Sequence, residues 1–112
     1  MIVDKDLPKC PVATTVSIIG NKWRLLILRN LLEGPQRFTD LLNNTENISK
    51  KVLTENLRTL ESYGIIDRKI YSDRVPIQVE YSLSEIGETL RSIFDVLALW
   101  GNDYKELIKN PF

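Results

Sequence analysis

Residues 37–83, RFTDLLNNTENISKKVLTENLRTLESYGIIDRKIYSDRVPIQVEYSL, decide the fold. Phe38, Leu41 and Leu42 fall on one side of a short helix expected over residues 39–43, and residues 44–47 form a polar turn. Ser49 suits the N-cap of a longer helix, in which Val52, Leu53, Leu57 and Leu60 recur at the spacing of one buried stripe. Gly64 ends that helix. Residues 65–71 read as a strand, 72–78 as a charged loop holding Pro76, and 79–83 as the returning strand. In the last of these, Val79, Tyr81 and Leu83 alternate with Glu80 and Ser82, as a half-buried strand requires.

Upstream, Pro11 is placed for the first turn of a helix that runs to Ile19 and stops at Gly20. Asn21 caps a second helix, from Lys22 to Leu32, with Trp23, Leu26, Ile27 and Leu31 on its apolar face. Gly34 and Pro35 stop it, and residues 36–38 form a short extended piece. Downstream, one long helix is expected from Ser84 to about Ile108. Ile86, Leu90, Ile93, Leu97, Trp100, Tyr104 and Leu107 alternate at intervals of four and three, a coiled-coil rhythm. Phe94, Leu99 and Ile108 widen this stripe. Either it covers its own domain or it meets another chain, and its width favours the second. Helix, turn, helix and hairpin together make the layout of a winged helix-turn-helix, an α+β fold that is mainly α. We expect one domain over residues 1–112. Its parts are an N-terminal arm and helix (1–20), a core (21–83) with its wing at 72–78, and a C-terminal dimerisation helix (84–109).

The bulk composition agrees with a globular chain. At 112 residues it can bury roughly two-thirds of its unfolded surface. No apolar run approaches the roughly 18 residues of a membrane span. The opening MIVDKDLPKC is charged and reads as no signal peptide, and a lone cysteine agrees with a reducing cytoplasm. The absence of histidine removes the commonest general base and metal ligand. One cysteine excludes a thiolate zinc cluster within a chain, and no glycine-rich phosphate loop occurs. Neither catalysis nor a cofactor is expected. The formal charge is zero, but it is unevenly spread: residues 21–74 carry ten Lys/Arg against seven Asp/Glu, and residues 75–112 three against six. So small a surplus suits a DNA-binding protein only if two copies share a site.

Several short strings then fall in one order: Cys10-Pro11, residues 20–23 (GNKW), 37–41 (RFTDL), 48–54 (ISKKVLT), 57–61 (LRTLE), 79–83 (VEYSL) and Trp100-Gly101. This order resembles the HxlR family of bacterial winged helix-turn-helix regulators, relatives of the MarR superfamily. The resemblance covers residues 10–102. It implies a homodimeric transcriptional regulator on a pseudo-palindromic operator, with the N- and C-terminal helices forming the dimer interface. The family more often has Gly where Asn21 stands, Thr where Arg24 stands, and a paired proline where this wing has Pro76 and Ile77.

The residue pattern and the resemblance agree on which side chains face double-stranded DNA. With the stripe of the Ser49 helix buried, its exposed arc carries Ser49, Lys50, Lys51, Thr54, Glu55 and Arg58. Lys50, Lys51 and Thr54 can donate to bases or phosphates, Glu55 can accept from cytosine, and Arg58 suits guanine or phosphate. The plainer alternative is a solvated face on which Lys51 pairs with Glu55. Arg74, on the wing, suits the minor groove or a phosphate, and Arg37, Thr39 and Lys22 suit the backbone. Leu90, Ile93, Phe94, Leu97, Trp100 and Tyr104 are the candidate dimer contacts. Cys10 stands at a helix N-terminus, where free amides favour a thiolate, and members of the resembling family sense oxidants or electrophiles through this position. Its alternative is a small apolar packing residue. A winged helix used only to bind proteins is the rival function. Neither an effector nor a membrane contact is legible.

Overall fold

The computed structural model describes residues 6–109; the first five residues of the expected N-terminal arm, and residues 110–112, lie outside them. The elements in order are α1 (Pro11–Ile19), α2 (Lys22–Leu31), β1 (Gln36–Arg37), α3 (Phe38–Asn44), α4 (Lys50–Ser62), β2 (Ile66–Tyr71), β3 (Gln78–Leu83), α5 (Glu85–Glu88) and α6 (Arg91–Lys109). Local chemistry sets most of the boundaries. Asn21 Oδ1 accepts from the backbone N–H of Trp23 and of Arg24, at 2.8 and 3.1 Å, and so starts α2. Arg24 reaches back, its Nη1 donating to the Ser17 and Ile18 carbonyls that α1 leaves without helical partners. Gly64 takes φ +74° just beyond α4, a conformation a side chain would strain.

The core lies where α2, α3 and α4 meet the sheet. Ile27, Leu28 and Leu31 from α2, Leu41 from α3, and Leu53, Leu57 and Leu60 from α4 close on Ile65, Ile66 and Tyr81. Leu28 is fully enclosed although it lies off the apolar face expected of α2. Asn30, also unexpected, is buried and donates to the Thr45 hydroxyl at 3.0 Å, while Gln36 Nε2 donates to the Asn30 carbonyl at 2.6 Å. Those bonds tie the turn between α3 and α4 to α2 and to β1. In that turn Asn47 adopts φ +65°, which its short polar side chain tolerates.

Two features differ from the sequence expectation. The short extended piece at residues 36–37 is a third strand: the antiparallel sheet has the order β1-β3-β2, with Gln36 opposite Tyr81 and Arg37 opposite Glu80. The single helix expected from Ser84 is broken. Ser84 does cap it, accepting the Gly87 N–H at 3.0 Å, while its hydroxyl donates towards the Gly64 and Ile65 carbonyls. Gly87 lies so close to the Ile65 carbonyl that a β-carbon would collide with it. Thr89 and Leu90 then bond back three residues, to Ile86 and Gly87, which tightens the backbone before α6 starts. The break turns Leu90 into the core at 9% exposure. Leu90, expected as a dimer contact, packs on the core of its own chain. Phe94 also packs partly on this core. No side chain of α6 is fully buried, and Ile86, exposed on α5, borders one hollow with Leu90 and Ile93.

Candidate nucleic-acid interface

Because α4 buries Leu53, Leu57 and Leu60, its opposite side is presented to solvent. Ser49, Lys50, Lys51, Glu55 and Arg58 are all exposed there. Ser49 Oγ accepts the Val52 N–H at 3.1 Å, so its lone pair caps the helix and its hydroxyl proton stays available. Thr54 differs from expectation. It is half-buried, and its hydroxyl donates to the Lys50 carbonyl at 2.8 Å, which leaves the oxygen only as an acceptor. Among the described residues the ion pairs are Arg68–Glu61, Arg91–Glu88 and Lys109–Glu106. Lys51 and Glu55 do not pair. Lys50, Lys51 and Arg58 thus carry positive charge with no carboxylate partner, the two lysines in the first turn of a helix whose N-terminus is itself positive.

The wing spans residues 72–77 between β2 and β3, with a cis peptide between Val75 and Pro76. Its apolar residues face outward: Val75 is 99% exposed and Ile77 64%. Arg74 ignores its neighbour Asp73. Its Nη1 donates to Gln78 Oε1 at 2.7 Å, and its guanidinium lies 4.0 Å from the centre of the Tyr71 ring. Lys69 Nζ lies 4.8 Å from the same ring, and the Tyr71 hydroxyl bonds Glu80 Oε1 at 3.2 Å. An aromatic platform thus gathers the wing's cations. Sequence reasoning passed over Tyr71, although an aromatic residue at the end of a strand bearing Lys69 and leading to Arg74 was a usable signal.

Arg37 and Thr39 border a groove with residues 76–79, so the structure groups them with the base of the wing and not with α4. The Arg37 N–H donates to Asp40 Oδ2 at 3.2 Å, which fixes the first turn of α3. Lys22 is exposed at the start of α2, its Nζ 5.1 Å from the centre of the Trp23 ring.

The terminal helices offer a different surface. On α6, Ile93, Leu97, Trp100 and Tyr104 are exposed, Trp100 at 67%, and its ring stacks on Tyr104 with 5.3 Å between centres. Beside them an apolar groove of about 540 Å³ runs between α2 and α6, bordered by Leu25, Leu26, Leu32, Phe94 and Leu97. Cys10 is exposed, and its carbonyl accepts the first backbone bond of α1, from Thr14 at 2.9 Å. Among the described residues no cluster of metal-ligating side chains occurs, and no helix is long and apolar enough to cross a membrane.

A three-helix core carrying a short antiparallel sheet and an exposed wing defines the class of winged helix-turn-helix proteins. The family model for HxlR-like helix-turn-helix proteins matches residues 18–109, and the chain belongs to that family. Its members are transcriptional regulators and not enzymes, and the fold is MarR-like. The chain is 42% identical to the HTH-type transcriptional regulator YdeP of Bacillus subtilis, over 92% of this chain and 80% of YdeP. The solved structure of the regulator ytcD superposes with a TM-score of 0.82 at 41% identity, covering 87% of this chain and 98% of that one. The redox regulator HypR in its reduced form superposes at 0.83 with 35% identity, covering 89% and 98% respectively.

Proposed function

We propose that this protein is a sequence-specific regulator that binds double-stranded DNA as a homodimer on a pseudo-palindromic operator. The observation that carries this reading is the unpaired Lys50, Lys51 and Arg58 on the solvent side of α4, whose other side is locked in the core. Such a helix enters a major groove by its N-terminal turns, with Arg74 on the wing reaching the neighbouring minor groove or its phosphates. Leu97, Trp100, Tyr104 and the groove beside α2 are the surface for the second copy, with Ile93 and Phe94 at its inner end. Selection of bound duplexes from a random pool is the test. The expected product is a two-fold-symmetric motif with half-sites about 34–36 Å apart, one helical turn. No enrichment, together with DNA affinity insensitive to salt, would leave a protein-binding module instead.

Cys10 is the proposed sensing residue. It is exposed at the N-terminus of α1, and a similar protein, HypR, is described as a redox regulator in its reduced and its oxidised forms. Diamide supplies the oxidant that takes up two electrons and two protons as it joins two such thiols across the dimer, or one to a small thiol. Diamide treatment should change operator affinity in wild type and leave Cys10→Ser unchanged. An equal response in both would remove Cys10 from the function. A cytoplasmic location accompanies the proposal, since a regulator of this kind must meet DNA.

A further inference from the structure

Between α4 and the sheet lies a polar cleft of about 290 Å³, bordered by Thr54, Leu57, Arg58, Glu61, Arg68 and Tyr81. It arises from register. Arg68 on β2 sits directly opposite Tyr81 on β3, so both side chains project from the sheet face that α4 covers. Arg58 and Glu61, three residues apart, border it from the flank of α4, between the buried stripe and the solvent side. We propose that this cleft is a seat for a phosphate of the DNA backbone, held between Arg58 and Arg68. The inference rests on the reading of α4 as the helix that enters the groove. When one element occupies a major groove and a wing its neighbour, the backbone ridge between those grooves must cross the gap between them.

The donors fit an oxyanion. Arg58 has no ion-pair partner, and Arg68 holds only a 3.5 Å contact, through Nε, with Glu61. Both partners in that contact are partly solvated, with side-chain exposures of 47% and 37%, so it is weakly held and its terminal nitrogens can turn outward. Arg68 stands beside the Tyr81 phenol on this face of the sheet. The phenol O–H is a donor that an oxyanion in the cleft can accept from. A tyrosine phenol is already neutral near pH 7, and burial raises its pKa further. Glu61 is the opposing charge in the cleft, and Arg68 offsets it. Thr54 brings no proton, since its hydroxyl is committed to Lys50.

The test is the salt dependence of binding to the duplex recovered in the selection above, in wild type, Arg68→Gln, Arg68→Lys and Glu61→Gln. The exposed lysine–glutamate pair at the end of α6 provides the controls, Lys109→Gln and Glu106→Gln. Arg68→Gln should flatten the slope of log K against log salt by about one unit, the signature of one lost phosphate contact, while Arg68→Lys keeps most of it. Glu61→Gln should tighten binding, and the control pair should move the slope by less than about a third of that unit. If Arg68→Gln and Glu61→Gln lower the melting temperature alike with the slope unchanged, the pair is only a surface ion pair and the seat does not exist. If wild type selects no duplex, the DNA-binding reading itself falls. Inorganic phosphate, titrated onto DNA-free protein while the arginine Nε–H signals are followed, separates the two phosphate sources. Saturation at submillimolar phosphate would overturn the backbone assignment in favour of a small anion.

Discussion

Arg74 and Tyr71 are joined face to face: the guanidinium lies 4.0 Å from the ring centre, held there by its 2.7 Å bond to Gln78. The bond to Gln78 uses one of the five N–H donors of the arginine, and the ring contact uses none. The remaining donors are therefore carried at a fixed place on the wing. A cation–π contact at an exposed site is worth about 0.5–1 kcal/mol. Tyr71→Leu should accordingly weaken operator binding roughly two- to fivefold. Tyr71→Phe keeps the ring and should stay near wild type. Equal affinities for wild type and Tyr71→Leu would show that the platform does not position Arg74.

Ser49 caps α4 and lies on the proposed DNA-binding face, and two substitutions separate the roles. Its Oγ caps α4 through the Val52 N–H. Ser49→Ala should cost about 1 kcal/mol, a fall in melting temperature of roughly 3–5 °C for a domain of this size. Ser49→Asp keeps a capping oxygen and should melt near wild type. It also sets a negative charge against DNA, so its operator affinity should drop well below that of Ser49→Ala. A Ser49→Asp variant that binds as tightly as wild type would remove this position from the interface.

Tyr81 gives a pH dependence with a defined sign. Burial, above all, raises the pKa of its phenol, with Glu61 acting in the same direction and Arg68 and Arg58 against it. The folded state therefore holds this proton more tightly than the unfolded chain. The stabilisation is complete below the ordinary tyrosine range and is lost as pH rises through the higher folded value. Thermal melts across that alkaline window should fall more steeply for wild type than for Tyr81→Phe. Parallel curves would mean that the phenol is not held neutral by the fold.

Gly87 is required by a single close approach. A β-carbon there meets the Ile65 carbonyl, a backbone atom that cannot swing aside. Gly87→Ala should destabilise the protein by about 1–3 kcal/mol, read from chemical denaturation. A variant as stable as wild type would show that α5 can lift from the sheet at no cost.

Element boundaries were legible wherever a residue's own chemistry creates them. Pro11, Asn21, Ser49 and Gly64 act within a few residues of themselves, and α1, α2 and α4 begin or end where those residues dictate. The α4 stripe was legible for the same reason, since Leu53, Leu57 and Leu60 lie on one face at any helical geometry. The exposed arc of Lys50, Lys51, Glu55 and Arg58 is simply its complement. Leu28 and Asn30 were not legible, because the enclosure of α2 depends on how far α3 and the turn at Thr45 wrap around it.

Contacts distant in the chain decided the remainder. The 3-4 rhythm from Ile86 to Leu107 runs on through Thr89 and Leu90, yet the helix breaks there. The break follows from the Ile65 carbonyl pressing on Gly87 and from Leu90 finding a place in the core, more than twenty residues from α4. Likewise Gln36 and Arg37 become a strand only because β3 offers them a free edge. The cleft of Arg58, Arg68 and Tyr81 exists because strand register sets two side chains opposite a helix. Periodicity and caps are properties of neighbouring residues, so order along the chain specifies them. Which partner fills a face, where a helix must yield, and which charges converge depend on packing in three dimensions, and those were settled only when the elements closed on one core.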